Sequence, residues 1–139
     1  MTRRIVAGVV LRGRVRTGRG DFGFWIEKFQ EHYRAKTGMA LFPGTLNLEL
    51  SEPFRMPDHA LRLEAHEYGG TVSVSLLACR VLGRRAFILR TDANEQGSGH
   101  HPRTLIEVAT DVKLRATHGL EDGDIVEVEL EPSHTPLPL

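Results

Sequence analysis

The sequence predicts a mainly β fold, a small barrel with one inserted amphipathic helix. Three observations lead there. About six short segments, apolar or alternating, recur at close spacing between Gly, Pro, Asn and Asp. A single segment carries helical periodicity. Glycine-containing loops fall at strand ends, which suits a barrel whose mouth holds a ligand.

Each element has its own signal. Ile5 to Leu11 is a Val-rich apolar run, read as a first buried strand. Gly13 to Gly23 holds four glycines among polar and basic residues and reads as a loop. From Trp25 to Lys36 the apolar residues Trp25, Ile26, Phe29 and Tyr33 recur at three-to-four spacing, predicting one helix closed by Gly38. Pro43-Gly44 is a turn. The strand after it places Leu46, Leu48 and Leu50 on one face and Thr45, Asn47 and Glu49 on the other.

Glu52 to Ala60, with two prolines, is a connection. Leu61 to Glu67 reads as a short strand before the Tyr68-Gly69-Gly70 turn. Thr71 to Leu82 is β-branched and apolar, a central strand. A turn at Gly83-Arg84-Arg85 leads it into a partner at Ala86 to Arg90. Asp92 to Pro102 is a second loop, Leu105 to Ala109 a strand, and Lys113 to His118 a short helix ended by Gly119. Glu121-Asp122-Gly123-Asp124 turns into a last strand, Ile125 to Leu130, and residues 132–139, with three prolines, read as a loose tail.

The 139 residues suffice for one core and one domain, 1–139. Eighteen basic residues balance eighteen acidic ones, so net charge argues for neither nucleic acid nor an anionic membrane. Arginines do cluster early (Arg3, Arg4, Arg12, Arg14, Arg16, Arg19), a candidate phosphate-facing patch. Cys79, the single cysteine, lies in an apolar run and reads as a buried small hydrophobe in a reducing compartment. With no secretory pattern or apolar run of bilayer length, the chain is expected in the cytoplasm.

Four constellations carry chemistry. Thr45, Asn47 and Glu49 bring a hydroxyl, an amide oxygen and a carboxylate together, hard donors of the kind Mg²⁺ uses beside phosphates, although alone the stretch reads first as a surface strand after a turn. Gly18-Arg19-Gly20-Asp21-Phe22-Gly23 lets backbone N–H groups approach phosphate, although without βαβ surroundings it also reads as a plain turn. Glu107 is the one acid in an apolar strand, suited to a polyol or to accepting a hydroxyl proton, or else simply outward-facing. Val112-Lys113-Leu114-Arg115 offers two cations to a triphosphate, or an exposed helical turn. His100-His101 lacks a third soft ligand and reads as solvated loop, not zinc. Trp25, Phe29 and Tyr33 read as a packing face.

Together these segments resemble the archaeal-type CTP-dependent riboflavin kinases, the DUF120-like domain. The resemblance runs from about Ile5 to Leu130, through Gly18-Arg19-Gly20, Pro43-Gly44-Thr45-Leu46-Asn47-Leu48, Ile106-Glu107-Val108 with Lys113-Leu114-Arg115, and Leu120-Glu121-Asp122-Gly123-Asp124. It implies a six-stranded cradle-loop (RIFT-type) barrel and transfer of the CTP γ-phosphoryl group to riboflavin, giving FMN and CDP. It implies Mg²⁺ on Thr45 and Asn47, and CTP among Gly18, Arg19, Gly20, Asp21, Phe22, Gly23, Val112, Lys113, Leu114 and Arg115. Glu107 would meet the ribityl chain near the attacking hydroxyl.

Two departures stand out. Phe22 occupies the place of a third glycine, with Gly23 one later. Gly99 occupies the place of a threonine that faces the flavin in the family, with Ser98 as the nearest replacement hydroxyl. DNA-binding helices found ahead of the barrel in some relatives are not expected to act here. The rival readings are a barrel that binds flavin or nucleotide without catalysis and, opposed by the zero net charge, a nucleic-acid binder. Oligomeric state is open.

Overall fold

The computed structural model describes residues 3–5, 9–18, 20–131 and 134–136. In chain order the elements are β1 (Arg3–Ile5), β2 (Val10–Arg16), α1 (Phe22–Lys28), α2 (Gln30–Thr37), β3 (Leu46–Leu50), β4 (Leu61–Leu63) and a 3₁₀ turn (Ala65–Glu67). There follow β5 (Val74–Val81), β6 (Arg84–Thr91), α3 (Asp92–Glu95), β7 (Leu105–Ala109), α4 (Leu114–His118), β8 (Ile125–Leu130) and β9 (His134–Pro136).

The strands β5-β6-β7-β3-β2-β8 pair antiparallel in that order, and β8 returns to β5 through Cys79↔Leu130, Arg80↔Glu129 and Val81↔Val128. This closes a six-stranded barrel, as the fold class predicted. β4 extends the first half of the same β5 edge, Leu61↔Leu76 to Leu63↔Val74. β1 and β9 form a separate two-stranded ladder.

Two hydrophobic layers explain the sequence pattern. Inside the barrel, Val15, Leu46, Leu48, Leu77, Cys79, Ile88, Ile106, Val108, Val126 and Val128 fill the space between strands. Outside it, Phe22 and Ile26 of α1 and Tyr33 of α2 cover Leu63, Val74, Leu76, Phe87 and Leu89. β5 and β6 are therefore buried on both faces and read as unbroken apolar runs rather than alternating ones. Cys79 is fully buried, as expected, and burial pushes its thiol up to about 12, which keeps it unreactive. Ile88 is fully buried in the barrel interior. Ile88→Ala is expected to lower unfolding stability by about 2–5 kcal/mol, read from the denaturant midpoint.

Several boundaries differ from the sequence expectation. The first strand runs Val10–Arg16, through the expected loop, because Gly13 lies flat on β3: a Cβ there would stand 2.7 Å from Leu48 Cβ. Val9 and Val10 are exposed, and residues 6–8 of the expected first strand lie outside the described residues. The single helix is two. Phe29, at φ −116°, ends α1 and begins α2, and its ring packs edge-on against Tyr68 at 4.6 Å. Gly38 closes α2 at φ 71°, as predicted.

Only Leu61–Leu63 of the expected Leu61–Glu67 strand is extended, since Glu64 and Glu67 form a capping box that starts a 3₁₀ turn. The β5–β6 turn is Leu82-Gly83, at φ 52° and 76°, which lengthens β6 to Arg84–Thr91. Asp92–Glu95 is helical because Thr91 Oγ1 accepts the Asn94 N–H. Within the expected tail, His134–Pro136 pairs with Arg3–Ile5; residues 132, 133 and 137–139 lie outside the described residues. Among the described residues no helix is long and apolar enough to cross a membrane.

The candidate phosphate-facing arginines on β2 are exposed and lie beside carboxylates of the neighbouring strands. Arg12 lies opposite Glu127, Arg14 opposite Glu49, and Arg16 Nε donates to Glu49 Oε2 at 2.7 Å. The arginines therefore face carboxylates across the ladder. The same pairing removes Glu49 from the oxygen-donor set, because it is exposed and engaged by Arg16. Arg19 lies outside the described residues.

Candidate active site

The site is built on the outer face of β3 and β7. Leucines turn inward along β3, so Asn47 turns outward, and register places it directly opposite Glu107. Thr45, one pleat earlier on the same face, donates from Oγ1 to Glu107 Oε1 at 2.9 Å. The donors lie on the barrel's outside, not in its mouth, because Leu46, Leu48, Ile106 and Val108 already fill the interior.

The loop after β2 covers them. A Cβ on Gly18 would stand 2.0 Å from Asn47 Nδ2, and one on Gly20 2.6 Å from Glu107 Oε1. No side chain fits at either position, so the backbone rests on both groups. Beneath it, Asn47 is 7% and Glu107 5% exposed, and Asn47 Oδ1 has no hydrogen-bond partner among the described residues. A buried amide oxygen without a partner is costly in the free protein and is available to a ligand.

Burial drives the Glu107 carboxyl above the usual carboxylate range, and Asp21 at the start of α1 adds to the rise. The Thr45 hydrogen bond, His101 and Arg90 oppose it. Arg90 is itself fully engaged: it donates to the carbonyls of Phe54, Arg103 and Leu105 and to Glu95. It clamps β6 to its neighbouring loops.

Thr45 also lines a cavity of about 70 Å³ with Phe42, Gly44, Val112, Lys113 and Arg115. The Val112–Arg115 constellation thus lies against that of Thr45. Its members divide by side chain. Lys113 is exposed, whereas Leu114 is buried in the core. Arg115 Nη1 donates to Asp122 Oδ1 at 2.7 Å, and Asp122 also accepts from Thr17 Oγ1 at 2.9 Å. Asp122 thereby ties the glycine loop to α4, and Arg115 holds its carboxyl below the ordinary aspartate range.

The remaining expected residues are placed as follows in the free protein. The Phe22 side chain is buried under the helices, and Gly23 lets α1 approach the Pro43 carbonyl, where a Cβ would stand at 2.9 Å. Ser98 is exposed and donates to the Ala93 carbonyl at 3.3 Å. Gly99 packs on Asn94. What reaches Glu107 from that loop is His101, whose Nδ1 lies 3.7 Å from Oε2. Reading both histidines as solvated holds for His100, which is exposed, and fails for His101, which is tucked against a carboxylate. Of the helix aromatics, Tyr33 is buried; Trp25 is 38% exposed and stacks flat on Phe29 at 5.9 Å. No cluster of three or more His, Cys, Asp or Glu is placed to hold a metal among the described residues.

The model of the CTP-dependent riboflavin kinase domain, described as domain of unknown function DUF120, matches residues 15–130. The chain belongs to the CTP-dependent riboflavin kinase family. It is 37% identical over 127 residues to a riboflavin kinase of Methanocella arvoryzae, covering 88% of this chain and 57% of that protein. It is 33% identical over 135 residues to one of Pyrobaculum arsenaticum, covering 90% and 62%. A riboflavin kinase of Methanothermobacter thermautotrophicus is 29% identical over 126 residues, covering 86% of this chain and 97% of that protein. The chain thus spans about three fifths of the first two relatives and nearly all of the third.

Within the CTP-dependent riboflavin kinase domain, sequence reasoning missed Asp122, His101 and Arg90. Asp122 stood inside a quoted motif, but its partners Thr17 and Arg115 are remote or on another element. His101 has no periodic signal, because a loop side chain's direction depends on the loop's own hydrogen bonds.

Proposed function

We propose that the protein phosphorylates riboflavin, transferring the γ-phosphoryl group of CTP to the ribityl 5′-hydroxyl and giving FMN and CDP. The observation that carries this reading is the Thr45–Glu107 contact at 2.9 Å, beside Asn47 and beneath Gly18 and Gly20. In the reaction the bond between Pγ and the bridging oxygen breaks and the bond from the 5′-oxygen to Pγ forms, so the hydroxyl proton must leave. Glu107 accepts it: a buried carboxylate of raised proton affinity suits that role. Thr45 fixes the Oε1 side of the carboxylate.

Thr45 and Asn47 suit Mg²⁺. Both offer hard neutral oxygens, Asn47 Oδ1 lacks a partner among the described residues, and the Thr45 hydroxyl, having donated to Glu107, keeps lone pairs free. Bound there, Mg²⁺ would neutralise charge on the phosphates. Backbone N–H groups of the Gly18–Gly23 loop and the Lys113 ammonium cradle the same phosphates, and Arg115 joins them on leaving Asp122. Phosphoryl transfer needs in-line positioning and charge neutralisation above all, and this set supplies both.

The test is incubation with riboflavin, Mg²⁺ and each of the four nucleoside triphosphates. FMN is expected fastest with CTP. Equal product from all four removes the CTP assignment, and none from any leaves a flavin- or nucleotide-binding barrel.

A further inference from the structure

His101 is held half-buried against the site by a chain of contacts that starts at the cap of α3. Its backbone N–H donates to Asn94 Oδ1 at 3.2 Å, and the Asn94 N–H donates to Thr91 Oγ1 at 3.1 Å. Gly99 makes room for that amide: a Cβ there would stand 1.9 Å from Asn94 Oδ1. So held, the imidazole is 19% exposed, with Nδ1 facing Glu107 Oε2 at 3.7 Å and without a hydrogen-bond partner among the described residues. Its Cε1 lies 3.6 Å from where a Gly20 Cβ would be. Gly20, His101 and Glu107 therefore bring the loop after β2, the loop after α3 and β7 to one point.

We propose that His101 is the positioning residue for Glu107, holding Oε2 through Nδ1 while Thr45 holds Oε1. The inference rests on the riboflavin kinase reading. Two donors on opposite oxygens fix the rotation of a carboxylate about its terminal bond, and so fix which lone pair meets the acceptor hydroxyl. At 3.7 Å in the free protein the two groups are in electrostatic contact, which already favours the proton on Nδ1 facing Oε2, and the contact shortens to a hydrogen bond when substrate fills the site. Gly99 then has a role, since any side chain there would displace Asn94 and with it His101.

The experiment compares riboflavin phosphorylation by the wild type, His101→Ala, His101→Asn, Glu107→Gln and the His101→Ala/Glu107→Gln double variant. His101→Ala is expected to lower kcat roughly ten- to hundredfold, with KM for CTP unchanged. His101→Asn, whose Nδ2 takes the place of Nδ1, restores most of it. On the Glu107→Gln background His101→Ala adds nothing, because the two residues act as one unit. Wild-type kcat in His101→Ala, or an undiminished loss on the Glu107→Gln background, overturns the proposal. Long-range ¹H–¹⁵N NMR of the ligand-free protein supplies a reading that needs no turnover. His101 is expected as the Nδ1–H tautomer in the wild type and the Nε2–H tautomer in Glu107→Gln. The Nε2–H form in both overturns the proposal whether or not FMN is made. Absence of FMN with the Nδ1–H form present overturns the kinase reading and upholds the pairing.

Discussion

Glu107→Gln is expected to lower riboflavin turnover by about 10²–10⁴-fold while leaving the protein at least as stable as the wild type. Glutamine keeps the shape of the side chain and can still accept from Thr45 Oγ1, so the architecture survives. What disappears is the proposed proton acceptor. The stability half follows from burial, which raises the folded-state proton affinity of Glu107 above its unfolded value. A raised carboxyl carries no penalty below the unfolded pKa, and a growing one as pH climbs through the folded pKa. In Mg²⁺-free buffer, thermal melts across pH should therefore show Glu107→Gln gaining on the wild type above the ordinary carboxylate range. The two should converge below it. A variant that melts earlier at neutral pH, or turns over normally, would assign Glu107 a structural role. Stability given up at the reacting group is the familiar sign of a site shaped for function.

Asn47→Ala is expected to shift the Mg²⁺ dependence of turnover to roughly ten- to hundredfold higher concentration, with excess Mg²⁺ recovering part of the rate. The folded protein should tolerate the change well, because Asn47 Oδ1 is buried without a partner among the described residues and its removal takes away a polar atom unsatisfied there. The informative contrast is with ligand: Mg²⁺ and CTP together raise the wild-type melting temperature by mass action and raise that of Asn47→Ala far less. Asn47→Asp, which keeps an oxygen at the same place, should retain Mg²⁺ binding. An unaltered Mg²⁺ requirement in Asn47→Ala would remove Asn47 from the metal site.

The chain's relatives differ in length while sharing this domain, and the chain covers 57% of one and 97% of another. The residues that converge on Glu107, namely Gly20, Thr45, Asn47 and His101, all lie inside the matched span. The Phe22 and Gly99 departures have structural explanations. Phe22 anchors α1 in the outer core, and Gly99 admits Asn94. Neither removes a group from the Thr45, Asn47 and Glu107 cluster.

Sequence by itself determined the β character, the barrel class, the Gly38 and Gly119 helix ends, and the outward face shared by Thr45 and Asn47. Those follow from period-two alternation and from glycine's access to positive φ, both local properties. Only the tertiary structure decided that Thr45 meets Glu107, 62 residues away, and that Arg16 takes Glu49 out of the donor set. Register between β3 and β7 is set by the packing of the whole barrel, and a slip of one residue would turn every side chain to the other face. It also decided that His101 joins Glu107 while Ser98 does not, because a loop side chain is aimed by its loop's hydrogen bonds, which no periodicity records.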